Sequence, residues 1–232
     1  MKFSSSFMVA GRCRHSFSQE EIKKETMLFS ADYDFARKNG DGLTNLFLDN
    51  IPDEWKNSKL IIDSRVHMLM PGWYPCIPGW HHDDVPRYGR FGQPNYENPD
   101  YYSEHLLMVV NAEVAPTEFL VGNAIEVPQV EDDQTVYEVW SKHLNERLKY
   151  DTEWDAYLHK VEDSIIYRFD WQTFHRGTAA VKNGWRFFIR ASRFWKDSEM
   201  TIADDSRFQR RTGKNEIRRQ VQVYMEDIEK GW

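Results

Sequence analysis

The chain has 232 residues, 41% hydrophobic and 29% charged, with a net charge of −7. That is long enough for one full hydrophobic core, and the acidic balance argues against a protein that holds nucleic acid through its phosphates. Cys13 and Cys76 form neither a metal pair nor a disulfide framework, and no segment reads as a membrane span or a secretory leader; the expectation is a soluble cytoplasmic protein in a reducing compartment.

In chain order, the sequence first predicts a helical preface over residues 1–59. Ser18-Gln19-Glu20-Glu21 is a helix start with acidic residues in its first turn, and the helix is expected to run towards Phe35. Asn39-Gly40-Asp41-Gly42 is a turn. From Leu60 the texture becomes that of strands. Leu60 to Met70 is stopped by Pro71-Gly72, and His105 to Val114 and Glu118 to Ile125 form a second pair. Between them, residues 86–102 are rich in Pro, Gly and aromatic rings and read as a long loop. Residues 129–163 are polar, with Val136, Val139, Trp140, Leu144 and Leu148 at helical spacing, and are expected to be a helical insertion. Ser164 to Phe169 and Trp185 to Ser192 are the last strands. Ile217, Val221, Tyr224 and Ile228 make one stripe of an expected C-terminal helix. The whole is predicted as one mainly β domain, residues 1–232, with a strand core over 60–200 and a helical tail over 201–232.

Two short stretches carry chemistry. Trp80-His81-His82-Asp83-Asp84 holds two His-x-Asp pairs. On a strand, His81 and Asp83 face one way and His82 and Asp84 the other, and either pair can chelate a metal with a third ligand. Far along the chain, Phe174-His175-Arg176-Gly177-Thr178 supplies a distant His, and Gly184-Trp185-Arg186 follows it on a strand. Two imidazoles and one carboxylate leave coordination positions open, which suits non-haem Fe(II). An arginine beyond the second His can grip a carboxylate in a two-bond fork.

The order and spacing of these pieces, from Leu60 to Ser192, resemble the iron(II)- and 2-oxoglutarate-dependent dioxygenases, in particular the branch of phytanoyl-CoA hydroxylase-like enzymes. The resemblance implies a double-stranded β-helix (jelly roll) flanked by helices. It implies Fe(II) held by His81, Asp83 and His175, the first pair being preferred because an aromatic residue, here Trp80, often precedes the first His. Arg186 would bind the distal carboxylate of 2-oxoglutarate. Thr117 stands on the strand that contributes to that co-substrate site, although Gly122-Asn123-Ala124 departs from the usual Gly-Ser-His. Arg190 would meet an anionic substrate group or pair with a core-edge carboxylate, and Arg65 and His67 would add substrate or co-substrate contacts. Tyr74, Trp80, Tyr88, Phe91 and Tyr96 would line the cleft or anchor loops. The implied reaction consumes O2, hydroxylates a C–H bond of a small molecule and releases succinate and CO2. Retention of Asp83 favours hydroxylation over halogenation. Alternatives at this stage are oxidation of a protein side chain or nucleobase, and a jelly-roll binding protein without turnover.

Overall fold

The computed structural model describes residues 1–88, 93–96, 102–131, 134–194 and 214–225. Two short strands open the chain, β1 (Lys2–Ser5) and β2 (Phe7–Arg12). Helix α1 (Gln19–Lys24) follows, begun by a capping box in which the Ser18 hydroxyl accepts from the Glu21 N–H and the Glu21 carboxylate accepts from the Ser18 N–H. After β3 (Met27–Phe29) come α2 (Tyr33–Asn39), α3 (Gly42–Asn50) and α4 (Asp53–Lys56). The core continues with β4 (Leu60–Leu69), β5 (Trp73–Tyr74), β6 (Arg87–Tyr88), β7 (Gln93–Pro94), β8 (Ser103–Val110) and β9 (Thr117–Glu126). Helix α5 (Val136–Tyr150) and β10 (Tyr157–Lys160) occupy the insertion. The chain then forms β11 (Ile165–Asp170), β12 (His175–Gly177), β13 (Gly184–Phe194), β14 (Glu216–Arg218) and β15 (Tyr224–Met225).

The chain is mainly β, and every strand pair among the described residues is antiparallel. The larger sheet has the order β2-β11-β8-β13-β4. In the smaller sheet β9 is flanked by β1 along its second half and by β10 and β12 along its first. Side-chain alternation gives the larger sheet two different faces. Ile62, Val66, Leu106, Met108, Phe187 and Ile189 face outward, under Leu28, Leu43, Phe47 and Trp55 from the N-terminal segment, in one apolar cluster. Leu107, Val109, Tyr167 and Phe169 pack with Phe119 of β9, between the sheets. On the smaller sheet, α5 lays Trp140 and Leu144 against Phe3, Leu120, Ile125 and Phe174. The molecule is therefore layered, with helices outside two facing sheets and a mixed apolar and polar interior between them.

Three expectations need correction. The helix begun at Ser18 does not run towards Phe35; it ends at Lys24, and β3 and a separate helix α2 follow. The first twelve residues are not helical; β1 pairs with β9 and β2 with β11, so each completes a sheet edge. The C-terminal stripe is not a helix within residues 214–225, where β14 pairs with β3 and β15 with β5. Strand partners distant in sequence satisfy these backbone groups, and local periodicity in so short a stretch does not reveal them. Ile228 lies outside the described residues. No helix among them is long and apolar enough to cross a membrane.

Candidate metal centre and carboxylate site

His81 and His175 meet across an isolated antiparallel bridge, each donating its backbone N–H to the other's carbonyl at 3.1 and 3.2 Å. Register places His175 beside Phe119 of β9, at the inner face of the smaller sheet. Asp83 closes the group: one ligand atom each from His81, Asp83 and His175 lies within 4.8 Å of the others. Both rings have their tautomers fixed. His81 Nδ1 donates to the Gly79 carbonyl and His175 Nδ1 to the Thr173 carbonyl, each at 2.9 Å, which directs the Nε2 lone pairs elsewhere. His175 Nε2 stands 3.0 Å from Asp83 Oδ2. A lone pair facing a carboxylate at that distance calls for a cation between them, a proton or a metal ion. Burial, helped by the neighbouring His175, pushes the His81 imidazole down to about 4. Burial also opposes the charge on Asp83, but Arg190, His175 and His81 outweigh it and hold the carboxyl well below its usual range. The set is thus two imidazoles with fixed ring orientations and one carboxylate, which fits an open-sided Fe(II) site.

Alternation alone also allows His82 and Asp84, the less favoured pair. The geometry does not bring them into the cluster. Residue 81 is a single bridge rather than part of a strand, and Asp84 adopts a left-handed backbone, φ 51°. His82 turns into the aromatic core, 4.0 Å ring to ring from Phe174, with Nδ1 at 2.5 Å from the Tyr96 hydroxyl. Asp84 reaches back towards Arg190 (3.4 Å) and accepts from the Ser192 hydroxyl at 3.2 Å.

Arg190 is the hub of this acidic side. Its guanidinium contacts Asp83 directly and lies 3.4 Å from Asp84 and 3.7 Å from Asp63, its cross-strand partner on β4. Those three carboxylates raise its pKa although burial works against the charge. The expectation that Arg190 meets a substrate anion gives way to its alternative, an ion pair with core-edge acids. Asp63 was missed, yet it shares the inner face of β4 with Arg65 and His67, two and four residues on, so the same alternation finds it.

Arg186 is different. It is 1% exposed, and Nε donates to the Ala115 carbonyl and Nη2 to Thr117 Oγ1, both at 2.9 Å. No carboxylate among the described residues pairs with it. Burial pushes it down to about 10, the Cys76 thiol opposing the shift. Its cross-strand partner His67 is 2% exposed and is pushed down to about 3 by burial and by the charges of Arg186 and Arg65. His67 Nδ1 has no hydrogen-bond partner among the described residues.

Both groups open on one cavity of about 740 Å³, walled by the larger sheet, the smaller sheet and the segment around β14 and β15. Arg65, His67, Thr117, Arg186 and Arg190 line it with the three-residue cluster, and Leu107, Phe169 and Phe188 give it apolar walls. Arg65 itself donates to the Leu28 and Ser64 carbonyls. Trp80 does not line the cavity. It is fully buried beside α5, donating Nε1–H to Asn145 Oδ1 at 3.0 Å, with Arg176 over its ring. Arg176 is accordingly not free in solvent but paired with Glu118 at 2.7 Å. Tyr74 lies in β5 against Tyr224, and Tyr96 packs on Phe3 and Trp171; both are anchors off the cavity surface. The side chain of Tyr88 and all of Phe91 lie outside the described residues. His105 is core, hydrogen-bonded to Ser192 at 2.9 Å. Sequence reasoning also missed Cys76 and the residues from Arg218 to Tyr224 that form one wall; nothing local in those stretches marks them.

No protein-family model matches the chain, and no curated protein matches it closely. Two solved chains of EvdO2 from Micromonospora carbonacea var. aurantiaca resemble it at low identity. One is 12% identical over 58% of this chain with a TM-score of 0.33; the match spans about half of that structure, 51%. The other, complexed with 2-oxoglutarate, is 13% identical over 82% of this chain and 86% of that one, with a TM-score of 0.37.

Proposed function

We propose that the chain is a double-stranded β-helix oxygenase that uses Fe(II), O2 and 2-oxoglutarate to hydroxylate a C–H bond of a small molecule. The observation that carries this reading is Arg186, a buried guanidinium without a carboxylate partner among the described residues, in the same cavity as His81, Asp83 and His175. A buried charge is costly unless it is paired, so the site asks for an anionic ligand beside a metal.

His81 and His175 would hold the metal through Nε2 and Asp83 through its carboxylate. The Gly79 and Thr173 carbonyls fix the two rings, and Arg190 fixes the carboxylate. Arg186, steadied by Ala115 and Thr117, would clamp the distal carboxylate of 2-oxoglutarate, and His67 Nδ1 would accept from a water bound to that carboxylate. Leu107, Phe169 and Phe188 exclude water on the apolar side and orient the second reactant. Bound together, ferrous iron and 2-oxoglutarate supply the O2-dependent C–H oxidation, with succinate and CO2 as by-products, that no side chain here can perform. A cavity of about 740 Å³ suits a small molecule.

The test is anaerobic titration with Fe(II) and then 2-oxoglutarate, read by the weak visible charge-transfer band of a chelated keto acid. The band is expected in the unaltered protein, absent in His81→Ala, and to require at least about tenfold more 2-oxoglutarate in Arg186→Met. Metal binding without a band would remove the co-substrate assignment, and no metal binding would remove the centre itself.

A further inference from the structure

We propose that the molecule to be oxidised carries an anionic oxyacid group, a carboxylate or a phosphate, and that Arg218 binds it. The inference rests on the reading of the cavity as the meeting place of co-substrate and substrate.

Residues 214–225 return across the molecule as a strap, tied at one end by β14 on β3 and at the other by β15 on β5. Arg218 at the end of the first tie, Tyr224 at the start of the second, and Gln220, Val221 and Gln222 between them line the cavity. The wall is polar, and its charge has one sign. The other cavity arginines are engaged elsewhere: Arg190 with three aspartates, Arg176 with Glu118 and Arg65 with the Leu28 and Ser64 carbonyls, while Arg186 is the proposed co-substrate clamp. Arg218 makes no ion pair with any carboxylate among the described residues.

Its setting strengthens the case. The Arg218 guanidinium lies 3.4 Å over the Phe29 ring, which also carries Arg65 at 5.5 Å and the Lys214 ammonium at 5.5 Å. Three cations gathered on one ring repel one another, and cation–π attraction of about 0.5–1 kcal/mol each at exposed sites is a weak offset. An anion held among them removes the repulsion. Stacking also orients the group: with one flat face on Phe29, the edge N–H donors of Arg218 lie in the plane, the fork that matches a carboxylate or phosphate. Gln220 and Gln222 line the same cavity and offer neutral donors.

The experiment uses the full chain loaded with Zn(II) and saturated with 2-oxoglutarate, 15N-labelled at arginine, and follows the Arg side-chain Nε–H signals during titration with inorganic phosphate or with benzoate. The Arg218 signal is expected to shift saturably. Arg218→Met keeps the stem on Phe29 but removes the charge, and is expected to weaken the anion at least about tenfold while leaving 2-oxoglutarate affinity and Tm unchanged. Tighter phosphate than benzoate would identify a phosphorylated substrate, and the reverse a carboxylic acid. An Arg218 signal that neither anion moves overturns the proposal. So does an Arg218→Met variant that loses 2-oxoglutarate instead, which would put this arginine in the co-substrate site. Arg186→Met separates the two readings. If phosphate still binds at Arg218 in that variant, the anion site stands even should the co-substrate assignment fail.

Discussion

Asp83 and Asp84 are adjacent and chemically identical, yet the structure gives them different surroundings. Asp83 faces two imidazoles, while Asp84 faces Ser192, His105 and Arg190. Asp83→Ala is expected to weaken Mn(II) binding by more than about 100-fold in calorimetric titration, and Asp84→Ala by about tenfold through loosened support of Arg190. Equal losses would refute the division of roles. Gly177 makes a second case at this scale. A Cβ there would sit 2.6 Å from Cys76 Sγ and 3.3 Å from Pro75 Cγ, so only a glycine lets the thiol pack against β12. Gly177→Ala is expected to cost about 1–3 kcal/mol in urea denaturation, with most of it restored by adding Cys76→Ala. The sequence made the chemical types of the centre legible because His-x-Asp and the distant His are local words. Alternation does not decide between the two pairs, and the preference for His81 and Asp83 comes from the resemblance alone. A bridge followed by a left-handed turn at Asp84 replaces the regular alternation on which that choice depended.

At the scale of elements, α3 shows how tertiary contacts stand in for local signals. Its N-cap Asp41 makes no side-chain capping bond. Instead Glu25, from beyond α1, accepts from the backbone N–H groups of Asp41, Leu43 and Thr44 and from the Thr44 hydroxyl at 2.6 Å. Glu25→Ala leaves buried donors unmet and is expected to cost about 1–3 kcal/mol in thermal or chemical unfolding, whereas Glu25→Gln, which keeps one oxygen in place, is expected to cost less. The same contrast separates legible from illegible elements. Runs such as Leu60–Leu69 and Gly184–Phe194 announce themselves by composition and by the stops that follow them. Strands β1, β2, β14 and β15 are short and owe their conformation to partners far along the chain, so no window of neighbouring residues encodes them.

For the molecule as a whole, buried neutral histidines dominate the expected acid response of the metal-free protein. His67 is lowered from 6.5 to about 3, chiefly by burial, and His105 from 6.5 to about 4 by burial and Arg190. Below 6.5 the unfolded chain takes up protons that the folded chain refuses, so stability falls as pH drops through the interval from 6.5 towards 4. The slope approaches about 1.4 kcal/mol per pH unit for each such residue. The depressed Asp83 acts in the same direction but lower, losing its contribution only below the usual carboxylate range. Urea midpoints between pH 7 and 4 should therefore slide steadily, and His67→Phe should flatten the slope; a flat profile in the unaltered protein would contradict the buried neutral state. A metal that binds only the folded chain should in turn raise Tm in proportion to the logarithm of its concentration, which differential scanning calorimetry with and without Mn(II) would register.

The edge strands at the beginning of the chain have a consequence for biosynthesis. The Thr173 hydroxyl donates to the Ser6 carbonyl at 2.9 Å across 167 residues, and the flanking β1 and β2 pair with β9 and β11. On the ribosome β1 and β2 emerge long before their partners exist, so the smaller sheet cannot complete before Gly177 nor the larger before Phe194 has been translated. Native contacts of such span slow folding, and the waiting strands present unpaired edges in the meantime. Slower elongation before residue 165 would prolong that exposure, and holdase chaperones would be the natural occupants of the nascent edge.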